Sequence, residues 1–156
     1  MICNATPIIC LSKIKQLSLL RKLFSKIVIT SKVRDEILVK GKEGFLDIEK
    51  ALGDKWIIIK DPRKEIDFGV DMGENSALNL ASEMSQTLII DDAYGIKVAK
   101  AINIDFIRTT SVLLIGLKDK IISKNQTKSL LKKLVEVGYY ISPPIYSGII
   151  EIIDKY

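Results

Sequence analysis

The chain has 156 residues, 47% of them hydrophobic, which fits one globular domain with a sizeable core. It has no histidine, which excludes serine–histidine–aspartate catalysis, histidine zinc sites and histidine general bases. The net charge of +5 mildly favours a polyanionic partner, although solvated lysines on helix faces are the commoner explanation of such a charge. Any catalysis must therefore use carboxylates, hydroxyls, amines or a bound ion.

The sequence also predicts a cytoplasmic protein without membrane contact. Its apolar runs are too short to cross a bilayer, and no leader pattern begins at Met1. Two cysteines, Cys3 and Cys10, lack the spacing of a redox or metal motif. We expect both to be small buried residues in a reducing compartment.

The first part of the chain alternates short apolar strands with helical patterns. The predicted elements are a strand at 2–3, a helical stretch at 8–24, a strand at 26–30, a helix capped by Ser31, a helix at 45–52 and a strand at 56–60. Asp61 and Pro62 end the last of these strands.

The second part repeats this alternation. The predicted elements are a helix at 74–84, a strand at 87–90, a helix at 93–101, a strand at 104–108, a helix capped by Thr110, and two C-terminal helices at 126–137 and 143–153. The strand at 87–90 is continuously apolar, which is typical of parallel strands buried on both faces. The alternation predicts a three-layer α/β/α sandwich with a central, mainly parallel sheet, formed by residues 1–156 as one domain.

Polar residues follow two of the predicted strands, at the ends where α/β sheets bind ligands. Asn4 follows the first strand, and Asp91 and Asp92 follow the most apolar one. Glu36 and Glu74 lie on helices that lead to the same edge. Taken singly, each acid has an ordinary interpretation as a helix cap, a first-turn acid or a solvated residue. Together they predict a site for a hard divalent ion such as Mg²⁺ or Mn²⁺.

Five segments carry a resemblance to a known family. They are ICNATPII at 2–9, VRDEI at 33–37, GENSAL at 73–78, LIIDDAYG at 88–95 and FIRTTSVLL at 106–114. Over nearly the whole chain, this combination resembles PIN-domain proteins, specifically the short prokaryotic relatives of the VapC toxins.

The resemblance implies an endoribonuclease in which Mg²⁺ or Mn²⁺ activates water for hydrolysis of RNA phosphodiesters. Glu36, Glu74 and Asp92 match acids of the family, and Asp91 is a neighbouring candidate. Thr6 and Thr110 resemble hydroxyls near the family site, where they would contact substrate. Turn and cap chemistry explains these two threonines equally well.

Asn4 departs from the family pattern, which carries aspartate at this position. An amide offers one neutral oxygen where a carboxylate offers two charged ones, so we expect weaker binding of the ion and impaired activity. Three explanations compete: natural loss of activity, an engineered inactivation, or a site in which the remaining acids suffice.

Several functions stay open at this point. The first is a VapC-like ribonuclease with RNA as substrate and a cognate antitoxin protein as partner. The second is a catalytically silent PIN-like module that binds RNA or protein, which Asn4 favours. A doubly wound protein that binds a small molecule or nucleotide ranks last because the chain has no glycine-rich phosphate loop. The broad apolar stripes of the C-terminal helices predict a homodimer, unless they simply cover the sheet.

Overall fold

A parallel β-sheet forms the centre of the fold, which the computed structural model describes over residues 1–156. Its strands are β1 Ile2–Cys3, β2 Ile27–Ile29, β3 Ile57–Ile59, β4 Leu88–Ile89 and β5 Phe106–Ile107. All neighbouring strands are parallel, in the order β3-β2-β1-β4-β5. The strands consist almost wholly of apolar residues because both faces of such a sheet lie under helices.

Nine helices flank the sheet. They are α1 Ala5–Lys13, α2 Ser18–Phe24, α3 Ser31–Ile37, α4 Phe45–Gly53, α5 Met72–Met84, α6 Ala93–Ala101, α7 Thr109–Lys118, α8 Lys124–Glu136 and α9 Pro143–Asp154. The predicted three-layer α/β/α fold is confirmed. No helix combines the length and the apolar character needed to cross a membrane.

Three details of the predicted helices are wrong. The stretch at 8–24 is two helices, because Lys15 has a positive φ of 57°, which interrupts a right-handed helix. Thr30 rather than Ser31 caps α3, and its Oγ1 accepts the Val33 N–H at 3.3 Å. Arg108 rather than Thr110 is the N-cap of α7, because the helix begins directly after β5 ends.

The core contains 38 buried apolar residues from the strands and the inner helix faces. Cys3 and Cys10 are both buried free thiols, as the sequence predicts. Ile2 pairs with Leu88 and Cys3 pairs with Ile89, so β1 and β4 are neighbours although 84 residues separate their ends in the sequence. The chain adds strands on one side of β1 and then crosses to the other, which makes the β1/β4 boundary the topological switch point where such sheets bind ligands.

Candidate functional site

Asn4 lies at the switch point, where β1 gives way to α1. Its backbone N–H donates to the Ile89 carbonyl at 3.0 Å, which ties it to the end of β4. The side chain makes no capping bond to α1. Instead, Nδ2 donates to Glu74 Oε1 at 3.4 Å, while Oδ1 is buried without any hydrogen-bond partner. A buried acceptor of this kind is costly, so it marks a position where a donor or a cation would be favourable.

Glu74 is the acid at the centre of the site. Asp71 caps α5, and its Oδ1 accepts the Glu74 N–H at 2.8 Å, which sets the first turn of the helix. That turn directs Glu74 inward, where the residue is only 3% exposed. A Cβ added at Gly95 would lie 2.6 Å from the Glu74 carboxyl carbon, so the glycine allows α6 to approach it.

Like charges surround Glu74. Burial first, and then the carboxylates of Asp92, Asp71 and Glu36, raise its pKa to about 7. Burial and Asp71 also raise the pKa of Glu36, whose carboxyl group lies against Gly73 so closely that a Cβ there would overlap it. None of these four acids forms an ion pair with a lysine or arginine. We call Asn4 and the four acids the acid cluster.

Asp92 joins the acid cluster while capping α6. Its Oδ1 accepts the N–H groups of Tyr94 at 2.8 Å and Gly95 at 2.9 Å. The interpretation of one aspartate as a helix cap therefore applies to Asp92. The second oxygen makes no protein hydrogen bond, and the side chain is close enough to raise the pKa of Glu74. Capping and a role in the site are compatible here.

Asp91 has a different set of partners. Its Oδ1 accepts the Thr109 N–H at 2.9 Å and its Oδ2 accepts the Thr109 hydroxyl at 2.6 Å. The Tyr139 hydroxyl also donates to Oδ1. We call these three residues the anchoring cluster, because they join the end of β4 to the start of α7 and to the segment between α8 and α9. Both oxygens of Asp91 are thus engaged within the protein.

The two predicted hydroxyls differ in their exposure. Thr6 is exposed in the first turn of α1, and Thr110 is buried in the first turn of α7. Neither side chain hydrogen-bonds to an acid of the cluster. Thr110 lines a cavity of about 80 Å³ together with Arg108, Tyr139 and Tyr140.

Asp71 and Tyr139 were not among the predicted site residues. Asp71 carried a signal, because an aspartate followed three residues later by Glu74 is close to a capping-box pattern. Tyr139 carried none, since its bond to Asp91 spans 48 residues of sequence. Asn4, Glu36, Glu74 and Asp92 do come together, and Asp91 belongs to the adjacent cluster.

The chemistry of the acid cluster fits a hard divalent ion. No three acids are already gathered at metal-binding distance from one another. However, Mg²⁺ keeps several waters and needs only one or two carboxylates, and Mn²⁺ accepts the same oxygen ligands. The cluster offers oxygen donors alone, an excess of negative charge and the unpartnered Asn4 Oδ1. A bound cation would offset this negative charge and give Asn4 Oδ1 a partner.

Comparisons with known proteins bear on the family and the fold of the chain. A sequence profile of the PIN-domain family matches residues 1–155. No curated protein matches significantly. Among solved structures, the chain is similar to a PilT N-terminus domain protein from the hyperthermophilic archaeon Sulfolobus solfataricus P2. The identity is 21% and the TM-score 0.56, over 74% of this chain and 92% of the other, so this likeness concerns the fold.

PIN domains are generally metal-dependent nucleases. Because the family profile covers nearly every residue, the chain belongs to the PIN-domain family.

Proposed function

We propose that this protein is a divalent-metal-dependent endoribonuclease of the VapC type, with its activity reduced by Asn4. The supporting observation is Glu74, a buried carboxyl group whose pKa is raised to about 7 by burial and three nearby acids at the β1/β4 switch point. Clustered acids without a compensating cation destabilise a protein, which makes such a cluster a functional candidate.

The acid cluster has the donors to hold the ion. Asn4 Oδ1, Glu74 and Asp92 would bind Mg²⁺ or Mn²⁺, with Glu36 at the exposed side. The bound ion would lower the pKa of a water molecule and offset negative charge on the scissile phosphate. Asp71 keeps the first turn of α5 in place through its 2.8 Å bond to the Glu74 N–H.

The cavity lined by Arg108, Thr110 and Tyr139, next to the anchoring cluster, offers suitable contacts for RNA. Tyr140 is 86% exposed and offers an aromatic face on which a base can stack. Arg108 shares its cavity and can neutralise a backbone phosphate. Thr6 and Thr110 can donate hydroxyl hydrogen bonds to the same strand. The net charge of +5 favours this association.

Asn4 also favours a second candidate, a catalytically silent module that binds RNA or protein. A neutral amide oxygen holds a cation less firmly than a carboxylate, and a misplaced catalytic group can cost about a hundredfold in rate. The two candidates share the fold and the RNA surface. They differ only in whether the acid cluster still supports hydrolysis.

Restoring the acid separates these candidates. We expect Asn4→Asp to bind Mn²⁺ more tightly by calorimetry and to cleave single-stranded RNA up to about a hundredfold faster. The matched control is Asn4→Asp combined with Asp92→Ala, purified alongside to reveal contaminating nuclease. Equal Mn²⁺ affinity in the native and Asn4→Asp proteins would remove Asn4 from the site. An inert Asn4→Asp protein that still binds RNA in a salt-dependent manner would identify the silent module.

Two partners complete the proposal. One is a cognate antitoxin, whose gene we expect as a small upstream frame encoding a DNA-binding protein.

The other is a second copy of the chain, bound through the C-terminal helices. α8 packs against α7 and α9 packs against α8, yet Ile145 and Ile152 of α9 remain exposed. Sedimentation at high concentration tests the dimer, and a purely monomeric protein would contradict it.

A further inference from the structure

The outer edge of the sheet at β3 is open. β3 pairs only with β2, and this pairing uses the Trp56 carbonyl, which accepts the Ile27 N–H at 2.9 Å, and the Lys60 N–H, which donates to the Ile29 carbonyl at 2.9 Å. Backbone groups of a strand alternate in direction, so those of Ile57 and Ile59 point towards the outer edge. No strand pairs with them there.

This edge is also apolar. Ile58 is 37% exposed and Ile59 is 39% exposed, on opposite faces of the strand. Together with Ile57, Leu38 and Leu52 they line a groove of about 610 Å³. We call it the β3 groove. Exposed apolar edges invite pairing with another chain, and proteins normally blunt or cover them. The β3 groove therefore has the shape and chemistry of a docking surface.

Positive charge surrounds the β3 groove. Its other lining residues are Lys26, Arg34 and Lys55, and no acid lines it. Arg34 pairs with Asp35 at 2.7 Å, whereas Lys26 and Lys55 form no ion pair. A second copy joined edge to edge about a two-fold axis would present the same lysines to this rim, and such like-charge juxtaposition is unfavourable. The positive charge therefore favours a different molecule, with acidic side chains, over a second copy of this chain.

We propose that the β3 groove binds an extended segment of a partner protein in which apolar and acidic residues alternate. The segment adds a strand to the sheet through the backbone groups of Ile57 and Ile59, which is a common mode of peptide recognition. Alternation places its apolar side chains on the face of Ile59 and its acids on the opposite face, to pair with the long side chains of Lys26 and Lys55. Without a bound ion, the acid cluster repels the same segment, so the two surfaces do not then compete for it.

Synthetic peptides test the chemistry of the partner. The probe is a ten-residue peptide of alternating valine and glutamate, with glutamine and lysine in place of glutamate in the two comparison peptides. Fluorescence anisotropy should give the tightest binding for the glutamate peptide and none for the lysine peptide. Lys26→Glu combined with Lys55→Glu should weaken binding of the glutamate peptide about tenfold and make binding of the lysine peptide measurable. The matched control is Lys64→Glu with Lys133→Glu, two exposed lysines outside the groove, and it should leave the order unchanged.

Amide exchange measured by NMR tests the geometry. The glutamate peptide should slow exchange at Ile57 and Ile59 while leaving Ile58 unchanged, because the amide of Ile58 already faces β2. Equal binding of all three peptides, or protection confined to residues outside β3, would overturn the proposal. A concentration-dependent dimer that Ile59→Lys converts to monomer would assign the groove to a second copy instead. Glu74→Gln should not alter peptide binding, so the result is independent of any nuclease activity.

Discussion

Two polar clusters lie side by side at the end of β4, and adjacent aspartates belong to different ones. In the anchoring cluster, both oxygens of Asp91 accept hydrogen bonds from Thr109 and Tyr139. In the acid cluster, Asp92 faces Glu74, a buried acid with no cation beside it. One cluster satisfies its polar groups, and the other leaves charges uncompensated. The number of acids at a sheet edge therefore says less about function than which of these acids lack partners.

Tyr139 of the anchoring cluster and Glu74 of the acid cluster also differ in their protonation. Burial and the neighbouring Asp91 carboxylate raise the pKa of Tyr139 far above its ordinary value, so its hydroxyl stays a donor at neutral pH. Glu74, with its pKa raised to about 7, is partly protonated at neutral pH without metal. The Tyr139 hydroxyl therefore keeps its proton across the physiological range, whereas Glu74 responds to protons and cations.

The largest expected effect is on stability, at Asp91. Asp91→Ala leaves the buried Thr109 N–H and hydroxyl without acceptors, and we expect it to lower the free energy of unfolding by about 3 kcal/mol or more. Urea denaturation measures this. Tyr139→Phe removes one of the bonds and should lower it by about 1 kcal/mol. An Asp91→Ala protein of native stability that had lost Mn²⁺ affinity would move Asp91 into the metal site.

The next effect has the opposite sign and concerns Glu74. The folded-state pKa of about 7 exceeds the ordinary value of 4.5, so the folded state binds the proton more tightly than the unfolded state. Stability from this proton is fully present below about pH 4.5 and is lost as the pH rises through about 7. Glu74→Gln removes the charge, and should raise the stability of the metal-free protein at pH 8 by on the order of 2 kcal/mol.

Urea denaturation at pH 5 and pH 8 checks this sign. The native protein should be less stable at pH 8, and Glu74→Gln should reduce the difference while lowering Mn²⁺ affinity. Glu49→Gln, at an exposed position of α4, is the matched control and should retain the native pH dependence. If Glu74→Gln and Glu49→Gln behaved alike, the raised pKa of Glu74 would be refuted.

The smallest effect on stability is expected at Asp92. Asparagine is as good an N-cap as aspartate, so Asp92→Asn should keep the bonds to Tyr94 and Gly95 and change stability by less than about 0.5 kcal/mol. It removes one charge beside Glu74, however, and should clearly weaken Mn²⁺ binding. Thermal melting and calorimetry on the same sample measure both. A large loss of stability would show that Asp92 resembles Asp91, and the contrast between the clusters would fail.

The sequence alone determined the parallel α/β architecture and most of the candidate site. Runs such as Leu88–Ile89 are apolar because they are buried on both faces, and that pattern is visible without coordinates. The strand-end rule then singled out Asn4, Asp91 and Asp92, and the positions of Glu36 and Glu74 on their helices added these two acids. The family resemblance afterwards matched Glu36, Glu74 and Asp92 to acids of the family. These features can be recognised in the sequence because each depends on a short segment and on its neighbours in sequence.

Only the tertiary structure separated Asp91 from Asp92, placed Tyr139 beside Asp91 and left the β3 edge open. Adjacent residues leaving a strand point in different directions, and what each one meets depends on elements far away in sequence. Tyr139 lies 48 residues from Asp91, and no local pattern records their bond. The protonation of Glu74 is decided in the same way, because it depends on burial and on charges that α3, α5 and α6 bring together only when the chain is folded.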